Sequence, residues 1–169
     1  PAPEGHGVVF ERLDIKNNAR IKVNALAVKE TKLCSTIGNE NFSIATVEHL
    51  MSALSATGID NILIQLDGKE IPIMDGSSIS FIHLIKSAII VEQKKAKEFV
   101  VIKDVVEIID GDKYARFEPY DGFVVDFTID FPHPAFKEEE SQVSIDFFKD
   151  SYIEEISRAR TFGFMQEVE

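Results

Sequence analysis

The sequence has little that could cross-link it, anchor it or draw it to nucleic acid. It contains a single cysteine, Cys34, so no disulfide can close within the chain, and such sparing thiol use fits a reducing compartment. Its longest apolar runs, such as Ser87-Ala88-Ile89-Ile90-Val91, fall far short of the roughly 20 residues that a membrane-spanning helix needs. No secretory signal opens the chain. It starts Pro1-Ala2-Pro3 without a methionine and stops at Met165-Gln166-Glu167-Val168-Glu169 without a helix stop signal, so both ends read as cut. Positive charge is scarce: 18 Lys and Arg stand against 29 Asp and Glu, a net charge of −11. The deficit is uneven, with 10 basic and 11 acidic residues in 1–96 and 8 against 18 in 97–169. A general nucleic-acid binder needs a basic surface to displace counterions, so that class is excluded. A small anionic ligand held by local groups is not.

What is present is globular. The chain has 169 residues, 44% hydrophobic and 28% charged, enough for one ordinary domain or two small ones. Gly7-Val8-Val9-Phe10-Glu11-Arg12 predicts a strand, and Arg20-Ile21-Lys22-Val23 a weaker one. Thr46 is placed to cap a helix whose apolar positions, Val47, Leu50, Met51 and Leu54, follow the i, i+3, i+4, i+7 spacing of an amphipathic helix, with Gly58 ending it. Asn61-Ile62-Leu63-Ile64-Gln65-Leu66 predicts a strand with a turn at Asp67-Gly68. A second helix is predicted over 80–88, with Phe81, Leu84, Ile85 and Ala88 on one face.

Gln93-Lys94-Lys95-Ala96-Lys97 is charged and lacks an apolar period, so it reads as a linker. After it strands are predicted at 99–102, 105–109, 115–118 and 123–130, with turns at Asp110-Gly111-Asp112 and Tyr120-Asp121-Gly122, then a helix over 147–159. This layout gives two small α+β domains, 1–96 and 97–169.

The pair that could carry chemistry is Glu48-His49. With Val47, Leu50, Met51 and Leu54 on one side of the helix, His49 projects from the other and Glu48 lies between. A histidine directed away from an apolar stripe can reach a metal, and a neighbouring glutamate can take a proton from water bound there. On these two residues alone the ordinary explanation is a solvated helix face. The surrounding motifs change that. Ala45-Thr46-Val47-Glu48-His49-Leu50-Met51-Ser52-Ala53-Leu54, Gly58-Ile59-Asp60-Asn61-Ile62 and Glu70-Ile71-Pro72-Ile73-Met74-Asp75-Gly76-Ser77 together resemble a signature of the bacterial UDP-3-O-acyl-N-acetylglucosamine deacetylases. Gly111-Asp112-Lys113, Phe127-Thr128-Ile129-Asp130-Phe131-Pro132-His133-Pro134 and Ile156-Ser157-Arg158-Ala159-Arg160-Thr161-Phe162-Gly163-Phe164 resemble further motifs of that family in the same order.

The resemblance implies two similar α+β domains, each a β-sheet packed on helices, with the helices sandwiched between the sheets. It implies a zinc-dependent amide hydrolase that releases acetate from UDP-3-O-(3-hydroxyacyl)-N-acetylglucosamine, a cytoplasmic step committed to lipid A. Carried over, His49 matches a zinc ligand and Glu48 the general base. Thr161 matches a hydroxyl that helps stabilise the oxyanion, and Asp75 a group that orients the site. Phe131 matches an aromatic residue near the uridine end of the substrate, and Phe162 and Phe164 lie on the way to the sugar and acyl pocket. As aromatic residues, all three are equally suited to a core. His6, His83 and His133 are not expected to be ligands, and Cys34 reads as a small buried side chain.

The family's other two zinc ligands come from a later histidine and aspartate, and another histidine protonates the leaving amine. No His-x-x-x-Asp pair within these residues replaces them, and a catalytic zinc takes three protein ligands with an open position. The expectation is therefore an incomplete active site, inactive by itself, in a parent deacetylase. Rival readings are a binding module that kept the fold, a deacetylase fused to a dehydratase module, and a zinc hydrolase of another substrate. Retention of Glu48, His49 and Thr161 argues against the first.

Overall fold

A computed structural model describes residues 2–16, 19–130 and 141–163. The chain divides into two compact units: Pro1–Lys97 with Ile156–Glu169, and Glu98–Glu155. Both are built from small sheets with few helices, an α+β architecture.

The first unit is organised on strand β1 (Val8–Arg12), which pairs antiparallel with β2 (Ala19–Lys22). On its other edge β1 pairs in parallel with β6 (Ile62–Leu66). Side chains alternate across the sheet, and β1 is covered on both faces: Val9, Phe10, Glu11 and Arg12 are all buried. Burying Glu11 requires partners, and the register supplies them. Arg20 and Gln65 stand opposite Glu11 on the two flanking strands; Arg20 Nε donates to Glu11 Oε1 at 2.7 Å and Gln65 Nε2 to Oε2 at 2.8 Å. These bonds, that from Gln65 first, hold the Glu11 carboxyl below its usual value.

A parallel pair needs a long crossover. The connection from β1 to β6 contains β2, a second small sheet, β3 (Val28–Glu30), β4 (Thr36–Gly38) and β5 (Ser43–Ile44), and helix α1 (Glu48–Ala56). Helix α2 (Ile79–Ser87) follows β6 and packs on α1. Phe10, Ile37, Ile44, Leu54, Ile71 and Ile82 are almost wholly buried and form the core of this unit. Gly58, at φ +71°, ends α1 as expected.

Two local expectations are corrected. Thr46 does not cap α1: the capping position is Val47, with no side-chain cap bond, and Thr46 is left-handed at φ 59°. On α2 the buried residues are Phe81 and Ile82, whereas Leu84 is 59% exposed. The expected linker, Gln93-Lys94-Lys95-Ala96-Lys97, ends where the two units divide, and its first three residues bond to the start of the chain. Gln93 Nε2 donates to the Ala2 carbonyl, and the Glu4 carboxylate accepts from the Lys94 and Lys95 amides.

The second unit has two hairpins, β7 (Val106–Asp110) with β8 (Lys113–Phe117), and β9 (Val124–Thr128) with β10 (Gln142–Asp146). Gly111, at φ 63°, makes the tight β7–β8 turn beside Asp112. Residues 99–102 do not form a strand: Phe99, Val100 and Val101 are 72–91% exposed. Strand-forming side chains without a ladder partner are not enough.

The helix expected over 147–159 shrinks to α3 (Tyr152–Glu155). Asp146 accepts from the Phe148 amide through its side chain and from the Asp150 amide through its carbonyl, and the Ser151 carbonyl accepts from the Glu154 and Glu155 amides. Short polar side chains that compete for backbone groups break the segment into turns. Phe147 instead stacks on Phe123 and Tyr152, at 5.1 and 6.1 Å between ring centres. Among the described residues no helix is long and apolar enough to cross a membrane.

Candidate active site

The candidate residues in the first unit fall into two clusters. The first surrounds the start of α1. Glu48 and His49 are its first two residues, both half-buried. The Ser35 amide donates to Glu48 Oε2 at 2.9 Å, and the Ser35 carbonyl accepts from the Val47 amide at 3.2 Å. Ser35 therefore fixes one carboxylate oxygen and the backbone that precedes it. On the other side, the Ala45 amide donates to the Lys69 carbonyl and the Ile71 amide to the Ala45 carbonyl. Thr46 is buried and its hydroxyl donates to Glu70 Oε1 at 2.8 Å.

The second cluster joins residues far apart in sequence. Residues 156–163, expected with the second domain, belong to the first unit. The first amide of α2, at Ile79, has no partner within its own helix and donates to the Ser157 carbonyl at 2.9 Å. The Ser78 hydroxyl donates to the same carbonyl, and Ser157 is wholly buried. Four residues on, the Thr161 amide donates to the Gly76 carbonyl at 2.8 Å. A β-carbon at Gly76 would lie 3.4 Å from Thr161 Cγ2. Thr161 itself is exposed.

Asp75 stands beside this contact. Its Oδ1 accepts from the Ser77 hydroxyl at 2.8 Å, the Ser77 amide at 3.3 Å and the Ser80 hydroxyl at 3.0 Å, while Arg160 Nη2 lies 3.8 Å from Oδ2. The Ser77 hydroxyl first, then Ser80, the Ser77 amide and Arg160, hold the Asp75 carboxyl below its usual range. The structure thus brings the Asp75-Gly76 turn against Arg160 and Thr161, while Glu48 and His49 are neighbours at the start of α1. The two clusters are connected through the packed helices α1 and α2 and through the 71–75 segment, which leaves the Ala45 bridge and leads to Asp75.

Backbone strain marks the same places. Among the described residues, the non-glycine residues with left-handed backbone are Leu33, Thr46 and Met74, at φ 64°, 59° and 56°. Leu33 lies two residues before Ser35, Thr46 two before Glu48, and Met74 next to Asp75. Such conformations cost about 1–3 kcal/mol each and persist where the surroundings enforce them.

The remaining expectations are placed as follows. Phe162 is in the first unit and 54% exposed. Phe131 and Phe164 lie outside the described residues. Lys113 follows the β7–β8 turn of the second unit. Sequence reasoning missed Ser35 and Glu70 as partners of this region, and Arg160 as a partner of Asp75. The Asp75-Gly76-Ser77-Ser78 run signals an Asx turn, so Ser77 was findable. Ser35 acts through its amide, and its residue type carries no signal.

Among the described residues, no three His, Cys, Asp or Glu side chains gather closely enough to hold a metal ion. His49 is half-buried and directly follows Glu48 in α1. The described residues do not fit a complete zinc centre, which takes three protein ligands.

The whole chain, residues 1–169, matches the sequence profile of the UDP-3-O-acyl N-acetylglycosamine deacetylase family. A protein of Xanthomonas oryzae pv. oryzae (strain PXO99A), named UDP-3-O-acyl-N-acetylglucosamine deacetylase, is 52% identical over 169 residues, all of this chain and 56% of the relative. An Idiomarina loihiensis protein of the same name is 51% identical over 170 residues, with the same coverage. A Xanthomonas campestris pv. campestris (strain B100) protein of that name is 50% identical. The chain thus spans little more than half the length of the curated relatives it matches. A full-length profile match and identities of this size show that the chain belongs to the UDP-3-O-acyl N-acetylglycosamine deacetylase family.

Proposed function

We propose that the complete polypeptide carrying these residues is a zinc-dependent amide hydrolase of the cytoplasm. It removes acetate from the N-acetyl group of UDP-3-O-(3-hydroxyacyl)-N-acetylglucosamine, in lipid A biosynthesis. The observation that carries the reading is the Glu48-His49 pair at the start of α1, with the glutamate held by Ser35, in a chain that matches the family from end to end.

In this reading His49 is one metal ligand, and the polypeptide outside these 169 residues supplies the others, which leaves this chain inactive alone. When bound, zinc would polarise the amide carbonyl and lower the pKa of the attacking water. Glu48 takes that water's proton. The Ser35 amide holds Oε2, which leaves Oε1 to accept that proton. As the carbonyl carbon becomes tetrahedral, the Thr161 hydroxyl donates to the developing oxyanion. Asp75 orients the site by fixing the turn that holds Thr161. Phe131, Phe162 and Phe164 line the nucleotide, sugar and acyl portions of the substrate. The reading extends to architecture: each domain is a sheet packed on helices.

The test is acetate release and zinc content measured together on the complete polypeptide. Glu48→Ala keeps about one zinc per chain and loses roughly 10²–10⁴-fold in turnover. His49→Ala loses both metal and turnover. Thr161→Val keeps metal and loses roughly 10²-fold or more in kcat. Unchanged zinc and unchanged turnover in His49→Ala would remove the ligand assignment.

A further inference from the structure

We propose that Glu70 is a positioning residue for the Glu48-His49 pair, acting through the left-handed backbone of Thr46. Glu70 grips the same short segment twice. As backbone, it sits in an isolated parallel bridge opposite Ala45, formed by the Ala45 amide on the Lys69 carbonyl and the Ile71 amide on the Ala45 carbonyl, at 2.9 and 3.1 Å. As a side chain, its Oε1 accepts from the Thr46 hydroxyl at 2.8 Å.

Thr46 is β-branched and buried, with φ 59°. That region is disfavoured for such a side chain, which relaxes to extended backbone unless held. Relaxation at Thr46 would swing the start of α1. It would move Glu48 off the Ser35 amide, where Oε2 is held at 2.9 Å, and would turn His49 with it. The charge-assisted bond from Thr46 to Glu70 opposes that relaxation. Glu70 itself is exposed and touches neither Glu48 nor His49 through any bond described above. Its influence passes through one hydroxyl and one backbone angle.

The inference rests on the acid–base reading of Glu48, so the test pairs turnover with a readout that does not need it. In the complete polypeptide, hydrogen exchange at the Ser35 amide reports whether the Glu48 carboxylate is in place. Exchange at the Leu13 amide, bonded to the Leu66 carbonyl at the end of the β1–β6 pair, reports the fold.

Glu70→Ala is expected to speed Ser35 exchange at least tenfold, towards the rate in Glu48→Ala, with Leu13 unchanged. It should lower kcat by about 10–100-fold with little change in KM, the scale of a small misplacement of a reacting group. Glu70→Gln, whose amide oxygen still accepts from Thr46, recovers most of both losses. Thr46→Val reproduces Glu70→Ala, and the double variant loses no more than either single one. Equal acceleration at Ser35 and Leu13, with activity tracking the folded fraction, would mean a structural role alone and would overturn the proposal. Unchanged Ser35 exchange would do the same. If Glu48→Ala keeps full turnover, the proposed function fails, while the Ser35 readout still decides whether Glu70 positions Glu48.

Discussion

Gly76 is where the coupling between the Asp75 turn and Thr161 can be measured. Its φ is +82°, and the added β-carbon of Gly76→Ala would meet Thr161 Cγ2 at 3.4 Å, with the Thr161 amide nitrogen and carbonyl oxygen at 3.8 Å. Those distances are ordinary contact, so the steric part is small. The cost is conformational: an L-residue in left-handed backbone loses about 1–2 kcal/mol, partly offset because alanine stiffens the unfolded chain by about 0.4–1 kcal/mol. The net loss is about 1 kcal/mol. With a urea slope of roughly 1–3 kcal/mol/M, the unfolding midpoint falls by roughly 0.3–1 M. Gly58→Ala is the matched control, at φ +71° with nothing within 4 Å of its β-carbon. Both variants should lose similar stability. Only Gly76→Ala should also lose turnover, because relaxation of Gly76 rotates the carbonyl that holds the Thr161 amide at 2.8 Å. Urea denaturation and acetate release on both variants of the complete polypeptide decide it. Equal stability losses with equal turnover would refute the coupling, and no stability loss at either glycine would refute the backbone argument.

Leu54→Ala, at a side chain 1% exposed on the inner face of α1, should cost about 2–5 kcal/mol, seen as a lower urea midpoint with an unchanged slope. The pH dependence of stability follows from carboxyls held below their usual values. For Asp75 the depressed folded value means a contribution that is fully present above about pH 3.9 and is lost as pH falls through the folded value. Asp75→Asn should therefore flatten part of the acid limb of stability against pH and leave the limb near neutrality alone. An acid limb of unchanged slope would count against the Ser77 and Ser80 bonds.

How far the sequence revealed this arrangement depends on what kind of interaction sets each element. Strand β1 and helix α1 were legible because apolar residues and burial coincide at Phe10 and Leu54, whereas α2 was legible in its span and not in its buried face, which is Phe81 with Ile82. The strands of 28–44 were not, since each has three residues or fewer and they persist through pairing with one another. Residues 99–102 fail in the opposite sense, with strong strand propensity and no ladder. At the site, Glu48 and His49 were singled out by the motifs around them, and the apolar stripe of α1 alone did not distinguish them from a solvated helix face. Their setting was not legible. Thr46 has the residue type of a helix cap, yet its hydroxyl goes to Glu70, 24 positions away, and its backbone has the sign of φ that threonine disfavours. Local propensity and the native structure disagree at Thr46, as they do at Leu33 and Met74, and each disagreement lies within two residues of a group in the two clusters. Sequences that fold well agree with themselves locally almost everywhere, and departures concentrate where function demands a particular geometry. Strain at these three residues therefore marks where the fold overrides local propensity, beside Ser35, Glu48 and Asp75.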